Sequence, residues 1–282
     1  MEREDSILLP TRIVAAIIAP VLVLAVIMLY FLPGDTDRHW AWPISPELTA
    51  MYMGAGYASG AYFFTRVFFS RSWSSVWLGF LPITTFTIFM FLATVLHWSR
   101  FDHSHVSFWI WTLLYVTTPV IVPALWFMNR RTDPGRKEGE LRIPLPARGV
   151  LAIAGAALMA LALLMMISPS AVMDDWLWPL SELTARVVAA FIILTGGLLV
   201  GMALDSRWSA SRIPVETFVL GTALMLIAIV RDWGSLDPSE AVRWGYFISV
   251  LAGLILLAGF YGWMESQARK TQPVAAESEP AG

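Results

Sequence analysis

The chain has 282 residues, 57% of them hydrophobic and only 14% charged, with a net charge of −2. Soluble domains carry about a quarter charged residues, so a soluble enzyme is excluded, and the charge balance gives no electrostatic reason to expect nucleic acid as a partner. With no Cys, the chain also excludes disulfides, thiolate metal sites, haem attachment through CxxCH and Cys nucleophiles.

Eight apolar segments follow in chain order, over 11–32, 47–68, 76–97, 106–128, 149–168, 182–204, 213–231 and 241–264. As a helix rising about 1.5 Å per residue, each covers the roughly 30 Å hydrocarbon layer. The runs are continuous, which fits helices rather than the alternating strands of a membrane barrel. The first is expected to remain a span and not a cleaved signal peptide. Its leader Met1-Glu2-Arg3-Glu4-Asp5 is not basic, and no small-residue cleavage site follows.

Lys and Arg set the expected orientation. With both termini in the cytoplasm, the inside segments hold Arg3, Arg12, Arg66, Arg71, Arg130, Arg131, Arg136, Lys137, Arg142, Arg148, Arg207, Arg212, Arg269 and Lys270. The outside loops hold only Arg38, Arg100, Arg231 and Arg243, and Arg186 falls inside a span. The 14 Trp residues gather near span ends, as an aromatic belt at headgroup level would require. The expected location is the plasma (inner) membrane.

Self-comparison points to a duplication. Trp40-Ala41-Trp42-Pro43-Ile44-Ser45-Pro46-Glu47-Leu48-Thr49-Ala50 matches Trp176-Leu177-Trp178-Pro179-Leu180-Ser181-Glu182-Leu183-Thr184-Ala185 with one residue deleted. Leu9-Pro10-Thr11-Arg12 matches Leu145-Pro146-Ala147-Arg148, and Pro82 and Thr85-Phe86 match Pro214 and Thr217-Phe218. Trp98, Asp102, Ser104 and Trp109 match Trp233, Asp237, Ser239 and Trp244, at an offset of about 135 residues. The expected fold is therefore an all-α membrane protein of eight transmembrane helices. They form two tandem four-helix repeats in parallel orientation, because an even number of spans inserts both copies the same way. The expected division is a first repeat at 1–128, a charged cytoplasmic linker at 129–148, a second repeat at 149–264, and a disordered tail at 265–282 rich in Ala, Glu and Pro.

The repeated motif reads first as a helix-start device. Ser45 and Ser181 suit N-caps, Pro46 suits the first helical position, and Glu47 and Glu182 complement the helix dipole. Read as a site, it places Trp40, Trp42, Glu47, Trp176, Trp178 and Glu182 on the outer face, with Asp102 and Asp237 from adjoining loops. Carboxylates between aromatic walls suit a cation or amine. Arg186 lies four residues after Glu182, where the first copy has Met51, so an intrahelical pair is available only in the second. His97, His103 and His105, with Asp102, have the donor chemistry for a divalent metal, and His97 alone would serve a pigment or haem. No HExxH, GxSxG or phosphate-loop pattern is present. Inside the spans the polar groups are mainly Thr and Ser, which satisfy their own helix backbone. Small residues recur every four positions at Ala50, Gly54 and Ala58, at Gly56 and Gly60, and at Gly197 and Gly201, as close helix packing requires.

Through Trp40-x-Trp42-Pro43 with Leu48-Thr49-Ala50, and Trp176-x-Trp178-Pro179 with Leu183-Thr184-Ala185, the chain resembles polytopic bacterial membrane proteins to which no activity is attached. The resemblance implies no substrate and no catalytic residue. The expected role is small-solute binding or transport, or service as a subunit of a membrane complex, with any site on the outer face between the repeats. The alternative is a membrane metalloenzyme built on the outward His/Asp cluster. The expected partners are the lipid bilayer, a second membrane subunit, or a small neutral or cationic solute; the sequence names no cofactor.

Overall fold

The computed structural model describes residues 4–135, 139–237 and 239–271. Eight long helices run in order: α1 Leu9–Val26, α2 Glu47–Phe69, α3 Phe80–Leu96, α4 Val106–Asn129, α5 Leu145–Ile167, α6 Glu182–Leu204, α7 Trp208–Arg231 and α8 Glu240–Thr271. A π-helical turn, Ile27–Phe31, continues α1. Among the described residues the extended pairing is a single antiparallel bridge between Arg142 and Arg207. The expected segments and the observed helices agree to within a few residues. The exceptions are α7, which begins five residues before its segment, and α8, which continues through the first part of the expected tail. Residues 136–138 of the expected linker and 272–282 of the tail lie outside the described residues.

Seven helices are long and apolar enough to cross a membrane, which makes this a multi-pass integral membrane protein. The exception is α2. Its Tyr52, Tyr57 and Tyr62, three glycines and Arg66 lower its hydropathy. It is also enclosed by its neighbours: Leu48, Ala50, Met51, Met53, Ala55, Tyr57 and Val67 are buried. A helix shielded by other helices has no need of a lipid-like surface.

The packing is reciprocal. α1 lies on α2 and α5 lies on α6, α3 packs on α4 and α7 on α8. Between the two sets, α2 packs against α7 and α6 against α3. Close approach is bought with glycine. A Cβ on Gly155 of α5 would stand 2.8 Å from the Gly196 carbonyl oxygen of α6, and a Cβ on Gly196 would stand 2.8 Å from the Gly155 carbonyl oxygen. Here two backbones touch where no side chain fits.

Arginines close the helix ends on one face of the bundle. Arg12 donates from Nη1 to the Phe68 carbonyl and from Nη2 to the Ser70 carbonyl, each at 2.7 Å, at the C-terminus of α2. Arg148 donates from Nε to the Ala203 carbonyl at 2.7 Å, at the C-terminus of α6. Both satisfy carbonyls left without intrahelical partners and sit at the negative end of a helix dipole. Arg207 is buried between Asp133 and Asp205. Burial opposes its charge, but the hydrogen bonds and charges of those two carboxylates outweigh it and hold its pKa above the ordinary value.

The other face carries the tryptophan motifs. Trp40, Trp42 and Trp178 are buried in protein, with Trp40, Trp42 and Trp111 in mutual ring contact at 5.1–6.1 Å. This corrects part of the belt expectation: these rings are core, whereas Trp98, Trp109, Trp244 and Trp263 are exposed as a headgroup belt requires. The two tryptophan motifs also make matching backbone contacts. Asp102 N–H donates to the Ala41 carbonyl and Asp237 N–H to the Leu177 carbonyl, both at 2.8 Å.

The two motif helices start differently. Ser181 caps α6: its hydroxyl accepts from Thr184 N–H at 3.2 Å, and the Thr184 hydroxyl accepts from Ser181 N–H at 2.8 Å. At α2 the extra residue moves Pro46 into the cap position, so Ser45 does not cap. The Leu48 N–H is instead accepted at 2.8 Å by Asp232, from the end of α7.

Candidate functional site

Both sets of helices contribute to a cavity of about 330 Å³ between α2, α3, α6, α7 and α8. Its apolar wall is made by Phe63, Phe191, Leu194, Phe218, Met225 and Leu257. Its space exists because Gly56, Gly60, Gly221 and Gly253 stand where larger side chains would fill it. A Cβ on Gly56 would lie 2.3 Å from the Phe191 ring, which is folded over that glycine. Four hydroxyl residues, Ser59, Thr195, Thr217 and Thr222, complete the lining. Ser59 donates to the helix carbonyls of Ala55 or Thr217, both at 3.1 Å. Thr195 donates to Phe191 at 2.9 Å and Thr217 to Pro214 at 2.6 Å. Their oxygens remain able to accept, while no charged side chain lines the space. Such a wall suits a neutral, mostly apolar molecule, and the volume lies at the small end of the roughly 300–1,000 Å³ range of ligand pockets.

Both ends of the cavity are built. Toward the tryptophan face, Tyr52 meets Trp178 at 6.0 Å and Trp178 meets Tyr246 at 6.2 Å between ring centroids. Trp178 is pinned by a 2.9 Å hydrogen bond from its Nε1 to the Thr49 hydroxyl. Toward the opposite face lies a polar cluster that the sequence reading missed. Arg66 and Tyr62 of α2 both contact Glu216 of α7. Tyr261 of α8 donates to Glu216 at 2.8 Å, and Arg212 bridges Glu216 at 3.4 Å and Glu265 at 3.2 Å. The signal was present: Tyr62/Arg66, Arg212/Glu216 and Tyr261/Glu265 are each spaced by four residues, so each pair shares one helix face.

The residues singled out from the sequence are dispersed. Glu47 and Glu182 lie exposed in the first turns of α2 and α6. Asp102 is exposed, and its carboxylate accepts from the Ser104 hydroxyl at 2.6 Å and the Ser104 N–H at 2.9 Å, which hold its pKa below the ordinary value. Asp237 makes the same turn, accepting from Ser239 N–H at 2.7 Å. Trp176, Trp178 and Asp237 do come together, with Asp174 and Arg243, around a surface hollow of about 540 Å³. Trp40 and Trp42 do not line it and pack instead against Trp111. Arg186 is held by protein: Nε donates to the Met166 carbonyl at 3.0 Å, and Nη1 lies 2.6 Å from His97 Nε2 and 3.4 Å from Glu182. Burial, and then the Arg186 charge, push the His97 imidazole below its usual pKa, which favours the neutral ring as acceptor.

The metal reading does not assemble. His103 Nε2 lies 3.1 Å from the Trp98 carbonyl and His105 Nδ1 lies 2.8 Å from the Trp40 carbonyl, while His97 turns to Arg186. Among the described residues no group of three or more His, Cys, Asp or Glu is placed to hold a metal ion. The Arg186 guanidinium takes the His97 Nε2 lone pair, and the three rings are held by different partners and do not converge on one point. No family model matches the chain, and the curated proteins and the solved structures give no match either.

Proposed function

We propose that this protein binds a small, neutral, mostly apolar solute in the cavity between its two sets of four helices and passes it across the membrane. The observation that carries the reading is the cavity itself: charge-free walls contributed by both sets, rings at one end and an ionic cluster at the other. In this reading α2 is an eighth span, screened from lipid by the helices around it. The two sets, 1–128 and 149–264, are tandem parallel repeats joined by 129–148. The reciprocal α2–α7 and α6–α3 packing and the matched Asp102–Ala41 and Asp237–Leu177 contacts support that arrangement. The arginine-rich face is cytoplasmic, with both termini, and the membrane is the plasma membrane. The hollow at Trp176, Trp178 and Asp237 is the outer approach, which keeps an outer-face role for part of the repeated motif.

Passage requires that the two ends open in turn. The inner end is held by Arg66 and Glu216, and the outer end by Trp178 against Tyr52 and Tyr246. The test uses the protein in nanodiscs, titrated with a panel of neutral apolar solutes and followed by Trp fluorescence. Gly253→Phe fills the cavity and is expected to lower affinity about tenfold, which corresponds to about 1.4 kcal/mol. Equal binding by the wild type and a folded Gly253→Phe variant, or no binding across the panel, overturns the reading. In proteoliposomes, Glu216→Gln is expected to speed solute exchange several-fold with affinity unchanged; unaltered exchange removes the inner-gate assignment.

A further inference from the structure

A second space lies outside the cavity and faces the bilayer. α1 packs chiefly on α2, and α4 on α3, leaving a slot of about 430 Å³ between α1 and α4. Its walls are aliphatic, with Leu22, Ala25 and Met28 on one side and Ile110 and Leu114 on the other. Its floor is closed by Tyr57 and Tyr115, whose hydroxyls hydrogen-bond each other at 2.9 Å and so present only ring carbon to the slot's interior chemistry. At the tryptophan-face mouth stand Arg38, His39, Trp40, His105 and Ser107.

Two polar atoms at that mouth are buried without a hydrogen-bond partner: Trp40 Nε1 and Ser107 Oγ. Trp40 is 6% exposed, so its indole N–H is not served by bulk water. Buried donors of this kind nearly always have an acceptor. Arg38 is largely exposed and meets Asp35 only at 3.5 Å, leaving most of its guanidinium available; Asp37 is the other nearby acid in the chain. His105 is engaged through Nδ1 with the Trp40 carbonyl, with Nε2 3.8 Å from Asp102.

We infer that the slot between α1 and α4 holds an anionic phospholipid of the bilayer. One acyl chain lies between the aliphatic walls. The phosphate faces Arg38 and His39 at the mouth. The occupant is a lipid because a lipid brings an apolar chain for the aliphatic walls and a negative head for the basic mouth. The charge of the mouth is specific to this half. At the positions matched by the sequence offset, Arg38, His39 and His105 are replaced by Asp174, Asp175 and Glu240. An anionic head would be attracted at the first mouth and repelled at the second.

The test is native mass spectrometry of the full chain after incubation with phosphatidylglycerol or phosphatidylcholine. The wild type is expected to retain phosphatidylglycerol preferentially. Arg38→Glu, at an exposed position, is expected to leave thermal unfolding unchanged and to weaken that retention about tenfold. Phosphatidylcholine retention should not change. Ser107→Phe, which plugs the mouth, is expected to lower retention of both lipids. Arg100→Glu, on the same face but away from the slot, serves as control. Equal loss in Arg38→Glu and Arg100→Glu would reduce the effect to general surface charge and overturn the site, as would full retention by Arg38→Glu. Displacement of the lipid by inorganic phosphate alone would also overturn it, because the acyl chain would then contribute nothing. Gly253→Phe leaves this result unaltered, so it stands or falls separately from the inter-helix cavity.

Discussion

Two neighbouring spaces flank Phe191, and they differ greatly in size. The one beside α4 measures about 60 Å³ and the one beside α8 about 330 Å³. Both share Gly56, Gly60, Ile83, Phe191 and Leu194. The small space is lined by Tyr115, Thr118 and Val122 of α4. At the offset of the proposed duplication those positions become Val250, Gly253 and Leu257 of α8, and all three line the large space. Helix packing follows the same division: a third of the apolar window of α4 is buried, 33%, against 6% for α8. On the proposed duplication, one helical plan yields a filled side and an open side. The difference resides in a few side-chain volumes, and in the Tyr57–Tyr115 hydroxyl bond that draws α4 inward.

The largest expected effect comes from giving α4 the side chain of α8. Tyr115→Val removes a buried ring and leaves the Tyr57 hydroxyl without its partner. It is expected to cost about 3–5 kcal/mol, measured by thermal unfolding in nanodiscs, and to give the closed side a capacity for apolar solutes. A variant as stable as the wild type, with no new capacity, would break the comparison. A smaller test uses one substitution twice. Gly56→Ala forces a Cβ against the Phe191 ring and is expected to destabilise by about 1–3 kcal/mol. Gly253→Ala meets nothing within 4 Å and is expected to stabilise by about 0.5–1 kcal/mol through helix propensity. Changes of the same sign would show that Gly253 of the open side is packed as closely as Gly56, which borders both spaces. The smallest test concerns the helix starts. Ser181→Ala is expected to cost about 1 kcal/mol as a lost cap, whereas Ser45→Ala should leave stability unchanged, because Asp232 serves the start of α2.

The helices were legible because bilayer hydrocarbon imposes a length and a polarity that a sequence records directly. What the neighbours of a helix do to it is recorded less openly. α2 reads as a span by spacing, yet its tyrosines and glycines answer to α1, α6 and α7 and not to lipid, so it falls short on hydropathy alone. Trp40, Trp42 and Trp178 share their residue type with the belt tryptophans, and only burial separates the two groups. The acids of the tryptophan face were legible as residues, but their exposure depended on which way each helix start turned. The cavity was illegible for another reason. It consists of volume that Val250 and Gly253 do not occupy, and no pattern marks an absence. The ionic cluster could have been found by comparing four-residue polar pairs across α2, α7 and α8, since each helix contributes one.

Arg12 and Arg148 belong to the basic residues that hold their face in the cytoplasm on the positive-inside reading, and both also close a helix C-terminus. On that reading each is used twice in the life of the chain, first as a topological signal during insertion and later as a mechanical clasp. Charge-reversal scans that try to invert the protein in the membrane will therefore undo a fastening at the same stroke. A misoriented product of such a scan would report lost fastening as well as lost signal. Arg131, exposed just beyond the end of α4, is the cleaner lever for that experiment.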